Sequence, residues 1–96
     1  MSEPIVISNV KFTTASREDS AYGLLGYLAC TVNSALRLDG LTLRRTADGR
    51  FAVSWPARRD GFGRQRFYVR PIEDRARREI EQQIFRALRI AEEATR

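Results

Sequence analysis

The hydrophobic period of the chain changes once, at Arg70-Pro71-Ile72. Upstream, apolar residues recur at every second position in short runs broken by Gly, Pro, Asp and Ser; downstream they recur three and four apart. A period of 2 puts alternate side chains on opposite faces of a strand, and a period of 3.6 gathers them on one stripe of a helix. The chain therefore reads as strands first and a helix last. This order points to an α+β fold: an antiparallel sheet of about five strands with one C-terminal amphipathic helix packed on it. We read residues 1–96 as a single domain, with strands over about 5–70 and the helix over about 73–94.

Within the strand region, Ile5 to Thr13 is rich in β-branched and aromatic residues, and Thr14 to Gly23 reads as a loop. From Leu24 to Asn33, Leu28, Cys30 and Val32 fall on one face, with Tyr27, Thr31 and Asn33 on the other. The parity then slips, from Leu36 and Leu38 to Leu41 and Leu43, and the slip falls on Asp39-Gly40. A slip of one turns every later side chain to the opposite face, so a bulge or bend is expected there. Ala47-Asp48-Gly49 reads as a hairpin turn, and Phe51, Val53 and Trp55 share a face until Pro56 ends the strand. Residues 57–63 read as a second loop. Arg64 to Arg70 read as the last strand, with Phe67 and Val69 on one face and Arg64, Arg66, Tyr68 and Arg70 on the other.

In the helix, Ala76, Ile80, Ile84, Ala87, Leu88 and Ala91 form the apolar stripe. Glu73 and Asp74 at its start suit the helix dipole, and pairs with Arg77 and Arg78 one turn on are correctly oriented. Arg75, Arg78, Arg86 and Arg89 form a ridge opposite the stripe, bordered by Glu79 and Glu81, which also fits an ordinary salt-bridged solvent face.

The charge is unevenly spread. The net charge is +5, from 17 basic and 12 acidic residues, and Lys11 is the only basic residue that is not arginine. Residues 37–70 hold nine arginines against Asp39, Asp48 and Asp60, a local +6, while residues 71–96 are neutral. Arginine's planar fork matches phosphate oxygens and stacks on rings, so this third of the chain is where a polyanion would be met. Two constellations stand out. Arg64, Arg66, Tyr68 and Arg70 would project from one strand face at intervals of ~7 Å, near the spacing of successive phosphates, with Tyr68 available to stack on a base. Arg58 and Arg59 stand on a turn flanked by Trp55 and Phe62, where two guanidinium groups can grip a backbone. A solvated outer face and a polar hairpin loop would use the same residues with no ligand.

Catalytic groupings are missing. Histidine is absent, which removes the commonest general base and zinc ligand. The aspartates of the middle third stand beside or one residue from turn glycines, and Cys30, the only cysteine, lies mid-strand. We therefore expect no enzyme, no cofactor and no metal. A single cysteine and the lack of a basic, apolar leader point to a reduced cytoplasm, and the 7-residue run Leu24 to Cys30 is far short of a membrane span. A chain this short buries only roughly 60–65% of its unfolded surface, which favours a homodimer through an edge strand or the uncovered sheet face. The expected partner is DNA or RNA, the alternative an acidic protein met by an adaptor.

Taken in order, Asp48-Gly49-Arg50-Phe51, Pro56-Ala57-Arg58-Arg59, a glycine-bearing loop, an arginine-rich strand, Arg70-Pro71-Ile72 and a helix with Arg77 and Ile80 resemble the stage V sporulation protein G (SpoVG) family. That family's pattern runs Gly-x-Phe-Val-Ala-Met-Pro-Ser-Lys-Arg, then a loop, then His-Pro-Ile and a helix. The likeness spans about residues 5–90 and is strongest over 48–80. It implies a small dimeric sheet-plus-helix protein that binds nucleic acid and regulates gene expression and the division septum. By match of position it implicates Arg58, Arg59 and Arg77. The chain departs from the pattern in one extra residue between Phe51 and Pro56, in Ser54 or Trp55 for methionine, in Arg58 for lysine, in Arg70 for histidine, and in a longer loop at 14–23.

Overall fold

A computed structural model describes residues 4–89 of the chain. The elements run β1 (Ile7–Thr14), a single helical turn α1 (Arg17–Ser20), β2 (Leu24–Val32), β3 (Leu36–Arg45), β4 (Phe51–Ser54), β5 (Ala57–Arg59), β6 (Gln65–Phe67) and α2 (Asp74–Ala87). The protein is α+β, with a C-terminal helix on an antiparallel sheet. The sheet has four strands in the order β1-β2-β3-β4, and β5 and β6 form a separate two-stranded ribbon. The division falls at Pro56, which has no N–H to continue the ladder. Residues 57–59, read from sequence as loop, are strand; Ala57-Arg58-Arg59 lacks the apolar alternation that would mark it. Inside the loop at 14–23, Ser16 caps α1 by accepting the Asp19 amide at 3.2 Å.

One face of the sheet is the core. Leu28, Cys30, Leu41, Leu43 and Val53 are buried there against Ile80, Ile84 and Phe85 of α2. The parity slip is a bulge: Leu28 faces Leu41 and Cys30 faces Leu38, so Asp39 and Gly40 together oppose Ala29. Gly40 takes φ 80°, a left-handed conformation that a Cβ would strain, and the extra residue returns Leu38 and Leu41 to the same face. Cys30 is fully buried, and burial pushes its thiol up, so it packs as a small hydrophobe. Among the described residues, no helix is long and apolar enough to cross a membrane.

Helix α2 is turned on its axis relative to the stripe read from sequence. Ile80, Glu81, Ile84 and Phe85 are buried, whereas Ala87 is exposed. Glu81, expected at the border of the solvent ridge, therefore faces the sheet. Its Oε2 accepts the Val53 amide at 3.1 Å and its Oε1 accepts from Arg77 Nη1 at 2.6 Å. Arg77 pairs with Asp74 rather than with Glu73, and Asp74 also meets Arg78 at 3.3 Å. The helix ends at Ala87, earlier than expected: Leu88 is its C-cap and Arg89 takes a left-handed φ of 60°, while residues 90–94, with Ala91, lie outside the described residues.

The two outer strands are clasped by the same helix. On β1, the Gln83 amide accepts from Ile7 N at 2.8 Å and donates to Ile5 O at 2.7 Å, standing in for a neighbouring strand. On β4, the Val53 amide is not turned to β3 and goes to Glu81 instead. An open strand edge is a template for pairing with another chain, and α2 blunts both edges while holding itself across the sheet.

Candidate nucleic-acid interface

The ribbon follows directly from β4 and is exposed almost throughout, with Asp60 the exception between Arg58 and Arg70. Its register pairs Ala57 with Phe67, Arg58 with Arg66 and Arg59 with Gln65, and the Tyr68 amide adds a bond to Pro56 O at 2.9 Å. Arg58 and Arg66 thus share one face, and Arg59 and Gln65 the other. A two-stranded ribbon is marginal alone, and its turn is what holds it.

Asp60 organises that turn. One carboxylate oxygen accepts the amides of Phe62 at 2.9 Å and Arg64 at 3.0 Å, and the other accepts Arg66 Nε at 3.0 Å. Gly63 takes φ 78°, and its carbonyl accepts from Arg59 Nη1 at 2.8 Å. The Arg64 amide, then the Arg66 side chain and the Phe62 amide, hold the Asp60 carboxyl below its ordinary value. A carboxyl whose folded value lies below its unfolded one, about 3.9, stabilises the turn above that pH and ceases to do so as pH falls through the folded value. We expect the Phe62 and Arg64 amides to lose hydrogen-exchange protection on acidification below about pH 4, with Asp60→Ala showing the same loss at neutral pH. Unchanged protection in both experiments would remove Asp60 from this role.

The arginines fall into two groups. On the ribbon, Arg64 lies over the Phe62 ring at 5.7 Å and Arg70 over the Phe67 ring at 5.7 Å. Arg70 and Phe67 were expected on opposite faces; the chain bends at Tyr68 and Val69, period 2 ends after Phe67, and Arg70 swings to the ring. Arg64, Arg66, Tyr68 and Arg70 accordingly do not form one continuous row. Among the described residues, Arg66 is the ribbon arginine with a carboxylate partner. On the helix, Arg77 is half-buried with its guanidinium on Asp74 and Glu81, an arrangement that orders the fold, while Arg75, Arg78 and Arg86, and Arg89 just past its end, are exposed. The ribbon, residues 57–70, carries five arginines and one aspartate, a local +4.

Aromatic side chains interleave with these charges. Phe62 is 85% exposed and Tyr68 69%, so two rings stand in solvent beside Arg64 and Arg66. At the foot of the ribbon, Trp55 and Phe67 line a pocket with Arg70, Pro71 and Glu73. Trp55 and Glu73 were not singled out as site residues in the sequence, because a tryptophan ending a strand reads as core and an acid starting a helix reads as a dipole partner. The open face of the sheet also carries Lys11, Arg37 and Arg44 along with Tyr27, residues that only the strand register brings to one face. No group of three or more His, Cys, Asp or Glu side chains able to hold a metal occurs among the described residues. No family model matches the chain, and no curated protein matches it significantly.

Proposed function

We propose that the protein is a non-enzymatic, cytoplasmic nucleic-acid-binding regulator that contacts its target through the β5–β6 ribbon. The observation that carries this reading is the contrast between two sets of arginines. Arg77 and Arg78 at the helix start face carboxylates, whereas Arg58, Arg59, Arg64 and Arg70 have no carboxylate partner among the described residues, though they lie together on one exposed arm. Like charges gathered without counter-charges repel one another, and a phosphate backbone removes that cost while releasing its own counterions. The neighbouring rings supply stacking surfaces that tolerate any base. The likeness to the SpoVG family points the same way, to a role in gene expression and septum control. As a homodimer the protein would present two ribbons to one strand. Its seam would be the uncovered sheet face, since Gln83 and Glu81 already hold backbone groups on the outer strands.

The test is a binding titration with DNA and RNA of matched length at several salt concentrations. If all five ribbon arginines meet phosphates, log affinity falls with log salt at a slope of about −4.5 on duplex DNA and about −3.5 on single strands. A slope near zero would refute the reading, and co-purification of one acidic protein in its place would establish the adaptor alternative.

A further inference from the structure

We infer that the pocket at the foot of the ribbon receives one unpaired nucleobase, with guanine preferred, so that the target is held as a single strand. This rests on the nucleic-acid reading and narrows it. The pocket has a volume of about 240 Å³ and lies between Trp55 and Phe67 on the ribbon side and Pro71 and Glu73 at the start of α2. It is smaller than the roughly 300–1,000 Å³ that hold drug-sized ligands, and so suits a single ring system rather than a whole nucleotide cofactor. Its walls are two aromatic rings and a prolyl ring, with the side chains of Glu73, Asp74 and Arg77 beside them. The Arg70 guanidinium, 5.7 Å from the Phe67 centroid, adds a flat cation at the mouth.

The polar groups at this place specify what enters. The lining is balanced in charge, Glu73 and Asp74 against Arg70 and Arg77, whereas the ribbon is strongly cationic; this contrast leaves the backbone to the ribbon arginines and turns the base inward. The Asp74 carboxylate is occupied by Arg77 and Arg78. Glu73 is the residue before the first turn of α2, is exposed, and makes no capping hydrogen bond with its side chain. Its carboxylate is left to accept N–H groups from a base edge, and guanine offers them side by side at N1 and N2. A paired base presents none of this edge and would have to be flipped out of its stack.

Trp55 is the only tryptophan, so its emission reports on the pocket. The full chain is titrated, at low and moderate salt, with an oligo(U) strand, the same strand carrying one central guanine, and a duplex of equal length. We expect Trp55 emission to change saturably with the single strands and the guanine to tighten binding about tenfold. Glu73→Gln should abolish that preference and leave the salt slope unchanged, and Phe67→Leu should weaken single-strand binding about tenfold. Strands that bind with no change in Trp55 emission, a guanine preference surviving in Glu73→Gln, or a duplex bound as tightly as the strand would overturn the pocket while leaving the ribbon reading intact. Absence of binding to every nucleic acid would overturn both.

Discussion

Glu81→Ala is expected to destabilise the protein by about 3 kcal/mol, the low end of what breaking a buried ion pair costs. Glu81 is 7% exposed, and three things depend on it. Its carboxylate holds Arg77 at 2.6 Å, accepts the Val53 amide on the outer edge of β4 at 3.1 Å, and fills the space beside Ile80 and Phe85. Alanine leaves the Val53 amide without its partner, frees the Arg77 guanidinium to meet Asp74 alone, and opens a void under the helix. The Arg77 end is partly exposed, at 42%, so solvent recovers some of that loss and the value stays near the low end. In a domain of this size about 3 kcal/mol corresponds to a fall in Tm of roughly 12–24 °C. Glu81→Gln should cost about 1–2 kcal/mol, because the amide oxygen still accepts from Val53 while the charge pairing is lost. Urea unfolding of the three proteins, with Arg77→Ala and the double variant completing a cycle, measures both effects. A cost below about 1 kcal/mol for Glu81→Ala would mean that the clasp contributes little.

The same residue shows where sequence reading stops. A carboxylate within an amphipathic helix counts as polar in any periodicity, so the stripe drawn through Ala76, Ile80 and Ala87 leaves Glu81 outside it. What turns the helix toward Glu81 and Phe85 is an amide on another element, Val53, that needs an acceptor. Gln83 and the β1 edge repeat this pattern. The sheet itself was legible because its signals are local. Leu28 and Cys30 alternate, and Gly40 marks the slip in β3, whereas the bulge between Ser8 and Lys11 of β1 carries no glycine to announce it. The ribbon was half legible. Its arginines, its glycines and Asp60 could be read, but β5 has no apolar contrast to announce it, and β6 is three residues long instead of seven. Arg70 changed sides for that reason, since a face assignment by period 2 holds only while the strand continues. The pocket around Trp55 required the ribbon and the start of α2 to be brought together in space.

Replacing both Arg58 and Arg59 by alanine is expected to weaken nucleic-acid binding about 100-fold while leaving the fold intact. The two side chains leave opposite faces of the ribbon, since Arg58 pairs across with Arg66 and Arg59 with Gln65. A ligand that meets both must wrap the arm. Each guanidinium on a phosphate contributes a charge-assisted hydrogen bond; for exposed side chains we take about 1.4 kcal/mol, the lower part of the range, which is a factor of ten in affinity. The salt slope should become shallower by about 1.8 on duplex DNA or 1.4 on single strands, and the loss should be uniform across sequences, because phosphates carry no sequence information. Arg59 also donates to Gly63 O within the turn, so the single variants need not be equal, and Arg58→Ala is the cleaner measure of a phosphate contact. Arg77→Ala provides the contrast. Its guanidinium lies on Asp74 and Glu81, and the variant should lose stability before it loses affinity per folded molecule. A folded Arg58→Ala/Arg59→Ala protein that binds as tightly as the parent would move the interface off the ribbon, to the open sheet face that carries Lys11, Arg37, Arg44 and Tyr27.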